Sequence, residues 1–149
     1  AMDGKLCLWS VASTGSTTSR AAVRCSEVAA HRGSISKLLV DETSSKCLTL
    51  GYDGYTHLWD VQSGTSRRNN LTPMLSVQGR GPTVEGYYKN NTLVTGDRSG
   101  TVLVYDVATG AVIVKYPAHK GCVTGIVDAN SGDDTRVFST GGGDGFVKV

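Results

Sequence analysis

Residues 30–60, AHRGSISKLLVDETSSKCLTLGYDGYTHLWD, carry the pattern that the rest of the chain repeats and varies. The stretch opens on a His-containing turn and runs through three short apolar segments. It then passes a tight Tyr52-Asp53-Gly54 turn and closes on Trp59-Asp60. Similar units begin near Arg80 and Ala118, and the tail of another occupies residues 3–10, DGKLCLWS. Repetition at such a period fixes an architecture before any local assignment does. Each unit is one supersecondary element that buries its apolar surface only against its neighbours.

Outward from this stretch the chain reads as short strands between turn signals. Residues 5–11 and 21–30 are two strands around a polar Ser/Thr/Gly-rich loop at 12–20. The central unit supplies strands at 35–41, 47–50 and 55–61. A second polar loop at 62–70 then leads to 73–78, which Pro73 demotes to an edge position. The third unit gives strands at 83–88, 93–95, 101–107 and 111–116, and the last gives 122–128, 136–140 and 146–149, with GGGDG as a turn between the final two. No window keeps a helical apolar period. The pattern predicts an all-β fold of four-stranded antiparallel sheets stacked as propeller blades. Burial on both faces explains why KLLV and AVIV are continuously apolar and do not alternate.

Composition excludes other classes. The chain has 149 residues, 15 Lys+Arg against 13 Asp+Glu and a net charge of +2, so it lacks the concentrated basic face of a duplex reader, and nucleic acid is not the expected partner. Nineteen glycines against three prolines suit many tight turns. No apolar run reaches the ~18–20 residues of a membrane-spanning helix. Cys7, Cys25, Cys47 and Cys122 form no CxxC pair and read as free, buried or half-buried thiols. With no secretory signal pattern, the cytoplasm is the expected compartment and the nucleus the alternative.

At these residues the chain resembles the WD-repeat family of β-propellers. The marks are DGKLCLWS at 3–10, Ala30-His31, DGYTHLWD at 53–60, SGTVLVYD at 99–106, Ala118-His119 and DGFVKV at 144–149. In that family a His, a Ser/Thr, an Asp and a Trp of one blade form a hydrogen-bonded latch. The resemblance implies a full set in His31, Thr49, Asp53 and Trp59. It implies a partial one in His119, Thr140 and Asp144, and Asp3 and Trp9 alone in the first unit. The third unit departs from the pattern: Thr95 is kept, but Arg80 stands at the His position, Ser99 at the Asp position and Tyr105 at the Trp position. It is therefore expected to be the most weakly latched, with Trp59 and His31 costlier to replace than Tyr105 and Arg80. The physical requirement holds on its own terms, since a buried imidazole needs partners on both nitrogens.

The units divide the chain into 1–30 (outer strands of a first blade), 31–79, 80–118 and 119–149 (an incomplete fourth). Neither end carries capping sequence. The expectation is a slice of a larger propeller, its other blades supplied by the rest of a longer chain or by a second copy.

Catalytic chemistry finds no footing in the sequence. His31 and His119 take latch positions, and His57 reads as a packed or partly exposed strand histidine. Asp133-Asp134 reads as a solvated turn. Gly141-Gly142-Gly143 lacks the Lys and the helix of a phosphate loop. Tyr87-Tyr88 reads as packing. No enzyme, metal site or cofactor is expected. Function is expected on the loops of a rigid platform. The loops leading into each first strand and the turns between second and third strands place Arg32, Tyr52, Arg80, Arg98, Lys120 and Gly143 on one face. Four cations and a tyrosine there suit another protein or a peptide that is acidic or phosphorylated. The leading reading is a protein-interaction scaffold within a multi-domain or complex-forming protein. The alternatives are a substrate or cargo adaptor (ubiquitin ligation or vesicle traffic) and an RNA- or chromatin-associated platform.

Overall fold

A computed structural model describes residues 2–13, 20–41, 45–61, 71–128 and 138–149, and within them the only regular structure is β. Strands β1 (Lys5–Ser13) and β2 (Arg20–Ala29) pair antiparallel as a two-stranded sheet. Strands β3 (Ile35–Val40), β4 (Lys46–Gly51), β5 (Tyr55–Asp60) and β6 (Pro73–Gln78) form a four-stranded meander in chain order. Strands β7 (Thr83–Lys89), β8 (Thr92–Asp97), β9 (Thr101–Asp106) and β10 (Val112–Pro117) repeat it. Strands β11 (Val123–Asp128), β12 (Phe138–Gly142) and β13 (Val147–Lys148) make a three-stranded sheet.

These strands match the expected ones to within a few residues, and two differences are informative. The first hairpin pairs as far as Ser13↔Arg20, further into the polar loop than its composition suggested. Gly141 and Gly142, expected in a turn, extend β12 and pair with β11, so the turn itself is 143–145. Asp133-Asp134 and the loop at 62–70 lie outside the described residues, as does the start of the strand expected from 136.

The sheets stack face to face as blades. Cys47 and Trp59 of the β3–β6 sheet pack against Leu6, Leu8 and Val28 of the first sheet. Leu48, Leu50, Leu58 and Val77 pack on the other side, against Leu93, Leu103 and Tyr105 of the third sheet. Val94 and Val102 of that third sheet turn the opposite way, onto Val123 and Ile126 of the fourth. Consecutive residues such as Cys47 and Leu48, or Leu93 and Val94, thus enter different cores. That is why β4 and β8 are buried along almost their whole length. Burial pushes the Cys47 thiol up to about 11, which makes it a packing group and not a nucleophile. Inner strands also join across blades: Lys37 Nζ lies 2.5 Å from Glu85 Oε2, and the Tyr87 hydroxyl donates to Asp128 Oδ2 at 2.6 Å.

Candidate functional site

The loops leading into β3, β7 and β11 lie beside the turns that follow β4, β8 and β12. Within a blade, Tyr52 N–H donates to Ser34 O, Arg98 N–H to Pro82 O and Gly143 N–H to Cys122 O. Between each turn and the loop that leads on to the next blade, the N–H groups of Ala30 and His31 donate to Gly4 O, Gly79 N–H donates to Gly54 O, and His119 N–H donates to Gly100 O. Turns and loops therefore alternate without a break from residue 4 to residue 145 along one rim. Gly54 and Gly100 hold φ of +83° and +90° there, and a Cβ on Gly100 would lie 2.1 Å from His119 O. Close backbone approach of that kind admits only glycine.

Behind this rim sit the latches. In the second blade His31 Nδ1 is 2.9 Å from Asp53 Oδ1, and Nε2 is 2.9 Å from Thr49 Oγ1. Trp59 Nε1–H donates to the same Thr49 oxygen at 2.9 Å. The carboxylate only accepts, so Nδ1 carries the hydrogen and a neutral ring leaves Nε2 to accept from Thr49. Trp59, Thr49, His31 and Asp53 then form one directional relay with every group satisfied. Asp53 Oδ2 also accepts from Arg32 N–H at 2.9 Å, which ties the loop down. Burial works against the ionised Asp53, but the Arg32 N–H, the His31 ring and the Tyr55 N–H together hold its pKa below the usual range. The fourth blade repeats the arrangement: His119 reaches Asp144 Oδ1 and Thr140 Oγ1, each at 3.0 Å, and Lys120 N–H donates to Asp144 Oδ2 at 3.0 Å. The Lys120 N–H, with the Phe146 N–H and His119, lowers the Asp144 pKa to about 2. His57 lies behind the first latch. Its ring centroid is 4.7 Å from that of His31, its ring stacks on Tyr55, and Nδ1 is 2.8 Å from Ser76 Oγ.

The remaining residues of the pattern are placed differently. Asp3 is exposed and caps its own turn through Lys5 N–H at 3.2 Å, while Trp9 is 55% exposed. In the third blade Ser99 does not stand in for the acid. Asp97, two residues earlier and 5% exposed, supplies it: its Oδ1 accepts from Ser99 N–H (2.9 Å), Ser99 Oγ–H (2.6 Å) and Thr101 N–H (2.9 Å). The sequence reading missed Asp97, though the signal lay in a pair of positions. Gly51 and Gly142 occupy its place in the latched blades, and a Cβ there would meet His31 Nδ1 or His119 Cγ at 2.2 Å. With Arg80 in place of the histidine, that volume is free and the Asp97 side chain enters it. Tyr105, at the Trp position, is 2% exposed in the core.

Arg32, Tyr52, Arg80, Arg98, Lys120 and Gly143 are all exposed on this rim. None of the four cations pairs with a described carboxylate. The acids beside them, Asp53, Asp97 and Asp144, face inward and are engaged by backbone N–H groups, which leaves Asp3 as the exposed carboxylate of the rim. The rim is a rigid ridge with a basic outer surface.

Comparison with known proteins follows the same lines. The family model "WD domain, G-beta repeat" matches residues 110–149. Among curated relatives, "p21-activated protein kinase-interacting protein 1-like" from Danio rerio is 23% identical over 99% of this chain and 47% of its own length. Human "Pre-mRNA-processing factor 17" is 26% identical over 80% of this chain and 20% of its own. The chain thus spans less than half of one relative and a fifth of the other. Among solved structures, the computationally designed β-propellers Ika4 and Ika8 superpose with TM-scores of 0.70 and 0.69 at 19% and 18% identity. Those matches cover 85% and 84% of this chain, and 71% and 35% of the designed ones.

Proposed function

This chain belongs to the WD-repeat β-propellers, and on that premise we propose that it works as a non-catalytic interaction platform whose latched rim binds an acidic or phosphorylated segment of another protein. One observation carries the reading. Along the rim Asp53 and Asp144 turn inward onto the fold's own N–H groups and Asp97 is buried, whereas Arg32, Arg80, Arg98 and Lys120 are exposed. Guanidinium groups on a rigid backbone suit carboxylate and phosphate, which they bind through paired donors with little ordering cost. Tyr52, 48% exposed between them, adds a flat apolar contact. The kinase-interacting relative supports a protein partner.

A second reading is favoured by the splicing-factor relative: the same platform would sit in a ribonucleoprotein assembly. Titration of the chain with a fluorescent glutamate-rich peptide and its phosphoserine counterpart tests the first. The expected result is saturable binding that R80E/R98E weakens by roughly tenfold or more and that falls with salt. Failure of both peptides to bind, with single-stranded RNA binding in their place, would transfer the rim to the second reading.

A further inference from the structure

We propose that the cavity between the second and third sheets binds an organic carboxylate carried on an apolar body, its head held by the Lys46 ammonium and the Tyr88 hydroxyl. The cavity has a volume of about 580 Å³, within the roughly 300–1,000 Å³ of small-ligand sites. It lies where β3 passes into β4 and β7 into β8, on the face opposite the rim. Its walls come from the two whole four-stranded sheets. Leu39 and Leu48 supply apolar surface from one, Gly86 and Tyr88 stand on the other, and Ile126 of β11 adds a further apolar group.

The polar groups of this cavity are engaged unequally. Lys37 is paired with Glu85. Asp41 is turned onto its own chain, its Oδ1 accepting from Ser45 N–H at 2.9 Å and Lys46 N–H at 3.1 Å. Lys46 Nζ, by contrast, donates to a neutral acceptor, the Tyr88 phenol oxygen, at 2.9 Å, and lies 5.4 Å from the centre of that ring. An ammonium only donates, so the phenol oxygen accepts in this bond and keeps its own O–H to give, while Lys46 keeps two N–H groups. These donors meet at one point of the wall, on two half-buried side chains. The Tyr88 hydrogen bond also holds the Lys46 pKa above the ordinary lysine value, so the group is a cation at neutral pH. A carboxylate there forms charge-assisted bonds about twice as strong as neutral ones, and the body attached to it lies on Leu39 and Leu48. The donor pair is peculiar to this cleft and is no part of the repeat. In the next cleft Thr92 holds the Lys46 place and Asp128 the Tyr88 place by pairing register. A free aryl or alkyl acid and the C-terminal residue of a polypeptide present the same chemistry to such a site.

Calorimetric titration of the purified chain with 4-phenylbutyrate, and separately with a pentapeptide ending in phenylalanine with a free carboxylate, tests this. At least one should bind saturably with Kd below about 1 mM, and the tighter of the two identifies the source. The amide of each probe should bind roughly tenfold more weakly or worse, and so should the acids to Lys46→Gln and to Tyr88→Phe. Because Lys46 and Tyr88 also bridge two sheets, circular dichroism of each variant is recorded. Amide chemical shifts of Lys46, Gly86 and Tyr88 in the wild type locate the probe independently of any variant. R80E/R98E should bind both acids undiminished, which separates this site from the rim. Absence of binding by both acids at about 10 mM, well beyond the weakest specific affinities, amides that bind as tightly as the acids, or shifts confined to other residues overturns the proposal.

Discussion

Latches two and four use a histidine that excludes any side chain at Gly51 or Gly142, while the third blade has exchanged both positions together. At the scale of single residues, Arg80 and Asp97 therefore form a coupled pair although they make no direct bond. Arg80→His alone should drive an imidazole into the volume of the Asp97 side chain. Overpacking of that kind costs about 1–3 kcal/mol. R80H/D97G/S99D, which restores glycine and moves the acid to its usual turn position, should recover the loss and add about 1 kcal/mol through the completed hydrogen bonds. Urea denaturation of the single and triple variants measures both; additive effects would show that the positions are independent. Burial also alters the expected ranking of substitutions. Trp59 and Tyr105 are equally enclosed, so truncation of either to alanine should cost about 3–5 kcal/mol. Arg80→Ala, at an exposed loop, should fall within about 0.5 kcal/mol of wild type.

At the scale of elements, the rim is set by turns that lean on the next blade's loop. Gly100→Ala combines a φ of +90° with a Cβ 2.1 Å from His119 O, and neither the turn nor the loop can yield without breaking His119 N–H to Gly100 O at 3.0 Å. A loss of about 2–4 kcal/mol follows from strain and overlap together. Gly33→Ala, with no atom within 4 Å of its Cβ, should change stability by less than about 0.5 kcal/mol. Thermal denaturation separates the two, and equal losses would deny that the rim is fixed by backbone contact between blades. Strand edges follow similar logic. Pro73 heads an outer strand that pairs on one side only, which is where a residue without an N–H does no damage.

At the scale of the whole molecule, stability is a sum of blade interfaces in series, and its pH dependence comes from groups at those interfaces. Burial, together with the adjacent His31 ring, lowers the His57 pKa. The folded chain thus prefers the neutral ring. Stability is full above the unfolded value near 6.5 and falls as pH drops below it, because the unfolded chain then binds the proton more readily. Asp53 and Asp144 act lower on the scale. Their depressed pKa values stabilise the fold above the ordinary carboxylate value of about 3.9. That contribution disappears as pH falls toward the folded value, about 2 for Asp144. Denaturation midpoints measured from pH 7 to 5 should decline less steeply in His57→Gln than in the wild type, with both proteins losing stability below pH 4. An unchanged slope in His57→Gln would assign the midrange dependence elsewhere.

Repeat period and turn glycines were legible in the chain itself, and the latch of residues 30–60 through its resemblance to the WD-repeat pattern, because each is local: a His, a Thr, an Asp and a Trp at set distances along one blade. Strand number and order followed for the same reason, since a meander pairs each strand with its neighbour in sequence. Tertiary structure alone decided what depends on two distant segments meeting. The rim becomes continuous only when one blade's turn touches the next blade's loop. Asp97 becomes the third blade's acid only because Arg80, seventeen positions away in the sequence, leaves room for it.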